Sequence, residues 1–279
     1  MKFIHMSDIH LGTPGMLVEG IDPQARLARA FGHIAEHHAD AVRLVITGDL
    51  THWADPEAYA ALKQALRVLP MPVRLMVGNH DDRAVFLDHF PDHPSDEGGF
   101  INHAEDLPEG RFIYCDTVQT ATHAGHFCSA RRGWLQGQLE GCQTAYVFFH
   151  HNPLHLGDPS TDMLSLNDAD QAPLRALLKA HRDKIAHIFF GHVHEPLSGT
   201  LAGIPFSGVP STVHQVIPNL SPSMFSGMAP LEPSYRVVLL RGEDVAVHQI
   251  PFAWEGEVIW HGNDWNDWAK EACGVSREN

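Results

Sequence analysis

Cysteine is scarce here: among 279 residues only Cys115, Cys128, Cys142 and Cys273 occur, and no two stand in a C-x-x-C spacing. Neither a zinc knuckle nor a disulfide framework is indicated, so the four are read as reduced thiols. Basic residues are few as well, with 19 Lys+Arg against 34 Asp+Glu and a formal charge of -15. That balance argues against polymeric nucleic acid as a partner, because tracking a phosphate backbone needs a basic surface. A small substrate at a locally positive site stays open. No apolar run is long enough to cross a bilayer, so no membrane partner is expected. The opening "MKFIHMSDIH" is too short and too polar for the apolar core of a signal peptide, and the expected location is cytoplasmic. Internal repeats and low-complexity tracts are also missing.

What is present is an ordinary globular core, 44% hydrophobic, arranged with a rhythm. Apolar, β-branched runs recur at "KFIHM" (from 2), "VRLVIT" (42), "VRLMV" (73), "AYVFF" (145) and "IAHIFF" (185), and read as buried strands. Helical patterns lie between several of them. "DPQARLARAFGHIAEHH" places Leu27, Phe31 and Ile34 on one face, with Asp22 as N-cap and Pro23 in the first turn. "DPEAYAALKQALRVL" repeats the device with Asp55 and Pro56, and "DQAPLRALLKAHRD" groups Leu174, Leu177 and Leu178. Strand, helix, strand predicts an α/β protein. Residues 81–110 and 211–234, rich in Pro and in Gly or Ser, are expected as cap or pocket loops over a single domain spanning 1–250. "YRVVLL" and "DVAVHQI" predict a late hairpin. Residues 251–279 form a tail with Trp254, Trp260, Trp265 and Trp268, whose aromatics point to packing on the body or to a homo-oligomer.

The 22 histidines make any single His-x-His unremarkable. Their company changes that. After the five runs come Ser7-Asp8-Ile9-His10, Gly48-Asp49, Gly78-Asn79-His80-Asp81, His150-His151-Asn152-Pro153 and Gly191-His192-Val193-His194. In open α/β sheets ligands gather at the carboxyl ends of strands, so residues far apart in sequence can meet there. Taken singly, Asp8 is a turn residue, Asp49 a loop acid, and His192 and His194 are satisfied polar groups. Jointly they would leave many polar groups half buried without partners unless a cation satisfied them. Nitrogen and oxygen donors without thiolate suit Zn, Mn, Fe or Co. Seven such donors exceed what one catalytic ion with open positions uses, so two divalent ions sharing a carboxylate is the economical arrangement.

The order D-x-H, G-D, G-N-H-D, H, G-H-x-H, running from Asp8 to His194, resembles the calcineurin-like metallophosphoesterase superfamily. The resemblance implies a sandwich of two mixed β-sheets flanked by helices, with a small cap-like insertion. It implies that Asp8, His10 and His194 hold one metal, that Asn79, His150 and His192 hold the other, and that Asp49 bridges them. It further implies substrate contacts at Asn79, His80, His194 and His214, with His80 as the catalytic residue that stabilises phosphoryl charge or protonates a departing alkoxide. Two ions about 3.5 to 4 Å apart can hold a hydroxide for in-line attack on a phosphodiester.

Within that superfamily, protein serine/threonine phosphatases carry an Asp-Arg pair soon after G-D, and "GDLTHWADPEA" lacks the arginine. Lipid A pathway hydrolases have Arg where His80 stands. Double-strand-break repair nucleases share D-x-H-L-G but fit a charge of -15 poorly. "SDIHLG", "GDLTHW", "VGNHDDR", "HHNP" and "STVHQV" resemble the class III cyclic nucleotide phosphodiesterases and the bacterial glycerophosphodiesterases, with Asn152 departing from the more usual proline. The function expected is therefore hydrolysis of small phosphodiesters. The alternatives are a phosphomonoesterase or nuclease of the same superfamily, or a non-catalytic scaffold.

Overall fold

The structure, a computed structural model, describes residues 1–221 and 226–257. Trp260, Trp265, Trp268 and Cys273, and with them most of the Trp-rich tail, lie outside the described residues. In chain order the strands are β1 (Lys2–Met6), β2 (Leu44–Ile46), β3 (Val73–Leu75), β4 (His103–Leu107), β5 (Gly110–Tyr114), β6 (Ala145–Phe148), β7 (Ile185–Phe190), β8 (Ser198–Leu201), β9 (Ile204–Gly208), β10 (Gln215–Ile217), β11 (Gly227–Ala229), β12 (Ser234–Arg241) and β13 (Asp244–Pro251). The helices are α1 (Pro23–His37), α2 (Pro56–Ala65), α3 (Arg83–His89), α4 (Ser129–Glu140), α5 (Pro159–Asp162) and α6 (Asp168–Ala180).

Two mixed sheets result. One runs β13-β12-β1-β2-β3, with β1, β2 and β3 parallel; the other runs β4-β5-β6-β7-β9-β8, with β5, β6, β7 and β9 parallel. Alternation along each strand divides its side chains between two faces. Phe3, Val45, Val238 and Leu240 of the first sheet meet Phe112, Tyr114, Tyr146, Phe148 and Phe189 of the second in an apolar layer between them. Ile4, Met6, Leu44 and Ile46 point the other way, under Leu27, Phe31 and Ile34 of α1 and Tyr59 and Leu62 of α2. Ile113, Val147 and Ile188 do the same beneath α4 and α6. The layers are helix, sheet, sheet, helix, so the inner strands are buried on both faces and read as unbroken apolar runs.

Asp22 caps α1 by accepting from the backbone N–H of Gln24 and Ala25, as its position predicts. Asp55 stands at the same place before α2, but its side chain makes no capping bond; its carbonyl alone accepts from Ala58 and Tyr59. Residues 81–110 are not all loop. They hold α3, capped by Asp82 and anchored by buried Phe86, and β4, an edge strand beside β5 whose Asp106 is exposed while Glu105 pairs with Arg43 and Arg74. The 211–234 segment contains a small ladder of β10 with β11. The late hairpin forms from β12 and β13. Cys115, Cys128 and Cys142 are free thiols. Among the described residues no helix is long and apolar enough to cross a membrane.

Candidate metal centre

The polar clusters that follow β1, β2, β3, β6 and β7 converge at one end of the sheet-sheet seam. Ligand atoms of Asp8, His10, Asp49 and His194, all buried, lie within 4.8 Å of one another. Nε2 of His10 is 3.1 Å from Nε2 of His194. Asp49 faces two ways: Oδ2 is 3.7 Å from His10 Nε2, and Oδ1 is 3.4 Å from His150 Nε2. On the second side Asn79 Oδ1 lies 3.0 Å from His150 Nε2, and the His192 ring centroid is 5.1 Å from that of His150. All seven residues that the sequence pattern singles out as ligands are thus brought together.

Second contacts orient them. His150 Nδ1 donates to Thr47 O at 2.8 Å and His194 Nδ1 donates to His214 O at 2.9 Å, so each imidazole turns Nε2 into the centre. His151 also clusters with His150 and His192, but it is hydrogen-bonded at both nitrogens, with Thr117 Oγ1 at 2.7 Å and His123 O at 3.1 Å, so an ion there would have to displace one of those bonds. The donor set fits hard or borderline divalent cations. It is all nitrogen and oxygen, and among the described residues neither Asp8 nor Asp49 has a Lys or Arg ion partner despite full burial.

Backbone geometry marks the same residues. Asp8, His10, Asp49, His192 and His194 all have φ between 42° and 67°, the left-handed region that side chains avoid. Such conformations cost about 1–2 kcal/mol each and persist where surroundings dictate them. Here Asp8 N donates to Gly48 O and His10 N to Asp49 O, both at 3.0 Å, which pins the first loop to the second. His192 N donates to Asp8 Oδ2 at 2.9 Å, which pins the last loop to the first. Gly48, at φ 108°, must be glycine twice over, because a Cβ there would sit 2.6 Å from His150 Nδ1.

Electrostatics follow from burial opposed by neighbours. Burial acts to raise the pKa of Asp49, but the charge and hydrogen bond of His150 overcome it and hold the carboxyl well below its ordinary value. His194 does the same for Asp8. Burial works to lower His150, yet Asp49 and Asp8 lift it to about 9, and His194 is raised similarly by Asp8. Burial dominates at His10, which falls well below 6.5, and at His192, which falls to about 3 with help from the charge of His150.

Residues 1–196 match the calcineurin-like phosphoesterase family. The chain belongs to that family. It is 31% identical over 264 residues, 93% of this chain and 95% of the other, to a Rhodopseudomonas palustris protein named a probable cyclic nucleotide phosphodiesterase. It is 30% identical over 225 residues, 77% of this chain and 79% of the other, to a glycerophosphodiester phosphodiesterase of Enterobacter lignolyticus. Its fold is shared with purple acid phosphatase PPD1 from yellow lupin, at a TM-score of 0.61 and 12% identity, over 93% of this chain and 52% of that one.

As in the motif that carries the family resemblance, His80 follows Asn79, and it stands at the rim. Its backbone N–H donates to Asp49 Oδ1 at 2.9 Å and its Nδ1 to His52 O at 2.8 Å, with the ring 4.8 Å from that of His10. His214 is buried, its ring 4.6 Å from that of His194; burial, then the charge of His194, lowers it to about 4. Sequence reasoning missed three supports. His52 Nδ1 faces His10 Nδ1 at 3.3 Å, and His123 Nδ1 accepts from Asn79 Nδ2 at 2.8 Å, which turns Oδ1 of that amide inward. Asp81 accepts five hydrogen bonds, from Leu50 N, Thr51 N, Thr51 Oγ1, Tyr59 Oη and Gly78 N. Burial and the adjacent Asp49 charge push it up to about 6 against those donors. Only the G-N-H-D spelling hinted at Asp81; nothing local marked His52 or His123.

Proposed function

We propose that this chain is a binuclear, metal-dependent phosphodiesterase that hydrolyses small phosphodiesters such as cyclic nucleotides or glycerophosphodiesters. The observation that carries the reading is the two-sided Asp49 carboxylate, with Oδ2 toward His10 and Oδ1 toward His150. Asp8, His10 and His194 would share one ion with Asp49; Asn79, His150 and His192 would share the other. Bound there, two divalent ions supply an activated water and grip a phosphoryl oxygen. The named relatives, a probable cyclic nucleotide phosphodiesterase and a glycerophosphodiester phosphodiesterase, support the substrate class.

The remaining chemistry belongs to the side chains. Asn79 contributes oxygen without charge, so only Asp8 and Asp49 neutralise the cations and the centre keeps a positive field that draws an anionic diester into an acidic protein. His80, held through Nδ1 by a backbone carbonyl, presents Nε2 to the rim, where it can hydrogen-bond a phosphoryl oxygen or give a proton to the leaving alkoxide. The test is turnover of bis(p-nitrophenyl) phosphate by chelated and by Mn- or Zn-reconstituted protein. Activity that appears only on reconstitution, saturates at two ions per chain and exceeds the rate on p-nitrophenyl phosphate is expected. Turnover indifferent to chelation would overturn the proposal.

A further inference from the structure

Among the side chains around the metal centre, one is placed against the usual pattern. Trp53 is 60% exposed, although large aromatics gain most from burial. It is not on a loose loop. Its two neighbours are tied down: His52 N donates to Leu11 O at 2.8 Å, His52 O accepts from His80 Nδ1 at 2.8 Å, and Ala54 N donates to Thr51 Oγ1 at 3.0 Å. Thr51 is in turn held by Asp81. Ala54 adopts a left-handed φ of 55°, which closes the turn that presents the indole.

The indole faces the rim of the site. Its ring centroid is 4.7 Å from that of His52 and 5.6 Å from that of His80, and the His80 ring is 4.8 Å from that of His10. Moving outward from the metal ligands, the rings therefore run His10, His80, Trp53. A diester with its phosphorus at the ligands and an oxygen on His80 brings one ester substituent onto Trp53. We propose that Trp53 is a stacking platform for a planar nucleobase, and that it makes nucleotide diesters better substrates than glycerol diesters. The inference rests on the phosphodiesterase reading above.

The chemistry of the platform separates the candidate substituents. A glycerol arm offers hydroxyls, and indole answers them with a single N–H donor. A choline head would seek a cage of several aromatic faces, whereas the rings beside Trp53 are the imidazoles of His52 and His80, which build no such cage. A neutral base needs only one exposed π face beside the phosphate site, and that is what Trp53 provides.

The experiment compares wild type, Trp53→Ala and Trp53→Phe, each reconstituted with Mn. The substrates are 3',5'-cyclic AMP, glycerophosphoethanolamine and glycerophosphocholine, and size-exclusion elution is recorded alongside. Stacking energies on this order predict that Trp53→Ala raises KM for cyclic AMP by about tenfold or more with kcat nearly unchanged, and that Trp53→Phe recovers most of it. Both glycerol esters should stay within about twofold of wild type, a shift too small for a lost stacking contact. An equal loss on all three substrates, a loss confined to glycerophosphocholine, a change of assembly state that accounts for the loss, or no loss overturns the platform. A wild type that hydrolyses none of them overturns the phosphodiesterase reading itself, and the platform with it.

Discussion

At the scale of single residues, the proposed division of labour between metal ligands and His80 makes separable predictions. His80→Ala removes an imidazole but leaves its backbone N–H on Asp49, so metal content should stay at the wild-type level while kcat falls by about a hundredfold or more. Metal analysis and steady-state rates on one preparation check both halves, and an unchanged rate removes the role given to His80. His150 sets a second expectation. Because its pKa is raised to about 9, the metal-free protein at neutral pH carries a proton on an imidazole that must be neutral to bind an ion. Metal uptake at pH 7 should therefore release at least one proton, and apparent affinity should climb by up to about tenfold per pH unit until about pH 9. Calorimetry in buffers of differing ionisation enthalpy measures the release, and uptake without proton release would contradict it.

At the scale of elements, the centre is a set of short loops made rigid by one another. Asp81 is the knot: it joins the loop after β2, through Leu50 and Thr51, to the loop after β3, through Gly78, and fastens both to α2 through Tyr59. Asp81→Asn replaces one acceptor oxygen with an amide donor facing N–H groups, so about 1–3 kcal/mol of stability should go, with a lower Tm and weaker metal retention against a competing chelator. A variant with unaltered Tm and retention would show that the loops hold without it. The strands that carry these loops were readable because buried parallel strands spell themselves as apolar runs, and the candidate ligands stood at each run's end. Other elements left no such signal. α4 contains Gly133 and Gly137, which dilute its helical pattern, and β8, "SGTL", is an edge strand with three exposed residues. The left-handed φ of five proposed ligands was invisible as well, since bonds between distant loops, such as Asp8 N to Gly48 O and His192 N to Asp8 Oδ2, hold it in place.

For the whole molecule, the decisive fact is that neither sheet owns the site. Asp8, His10, Asp49 and Asn79 follow strands of the first sheet, and His150, His192 and His194 follow strands of the second. Sequence order places each cluster at a strand end, but the face-to-face pairing that unites them depends on tertiary packing, and the sequence reading obtained it through resemblance. That packing is an aromatic layer in which Phe148 and Phe189 stack at 5.0 Å and 18°, with Phe3 edge-on to both at 5.9 and 5.5 Å. Removing a buried ring from such a layer costs about 3–5 kcal/mol, so Phe189→Ala should lower stability on that scale. It should also weaken metal binding although Phe189 is no ligand, because relaxation of the seam lets the His150 and His192 loops drift from Asp49 and Asp8. Linkage runs the other way too. Ions that bind only the closed seam stabilise the fold by about 2.7 kcal/mol at a hundredfold excess over Kd, and that gain should shrink in the variant. Thermal melts with and without Mn, for wild type and Phe189→Ala, measure both directions; an equal metal-induced rise in Tm for the two proteins would show that the sheets and the site are energetically independent.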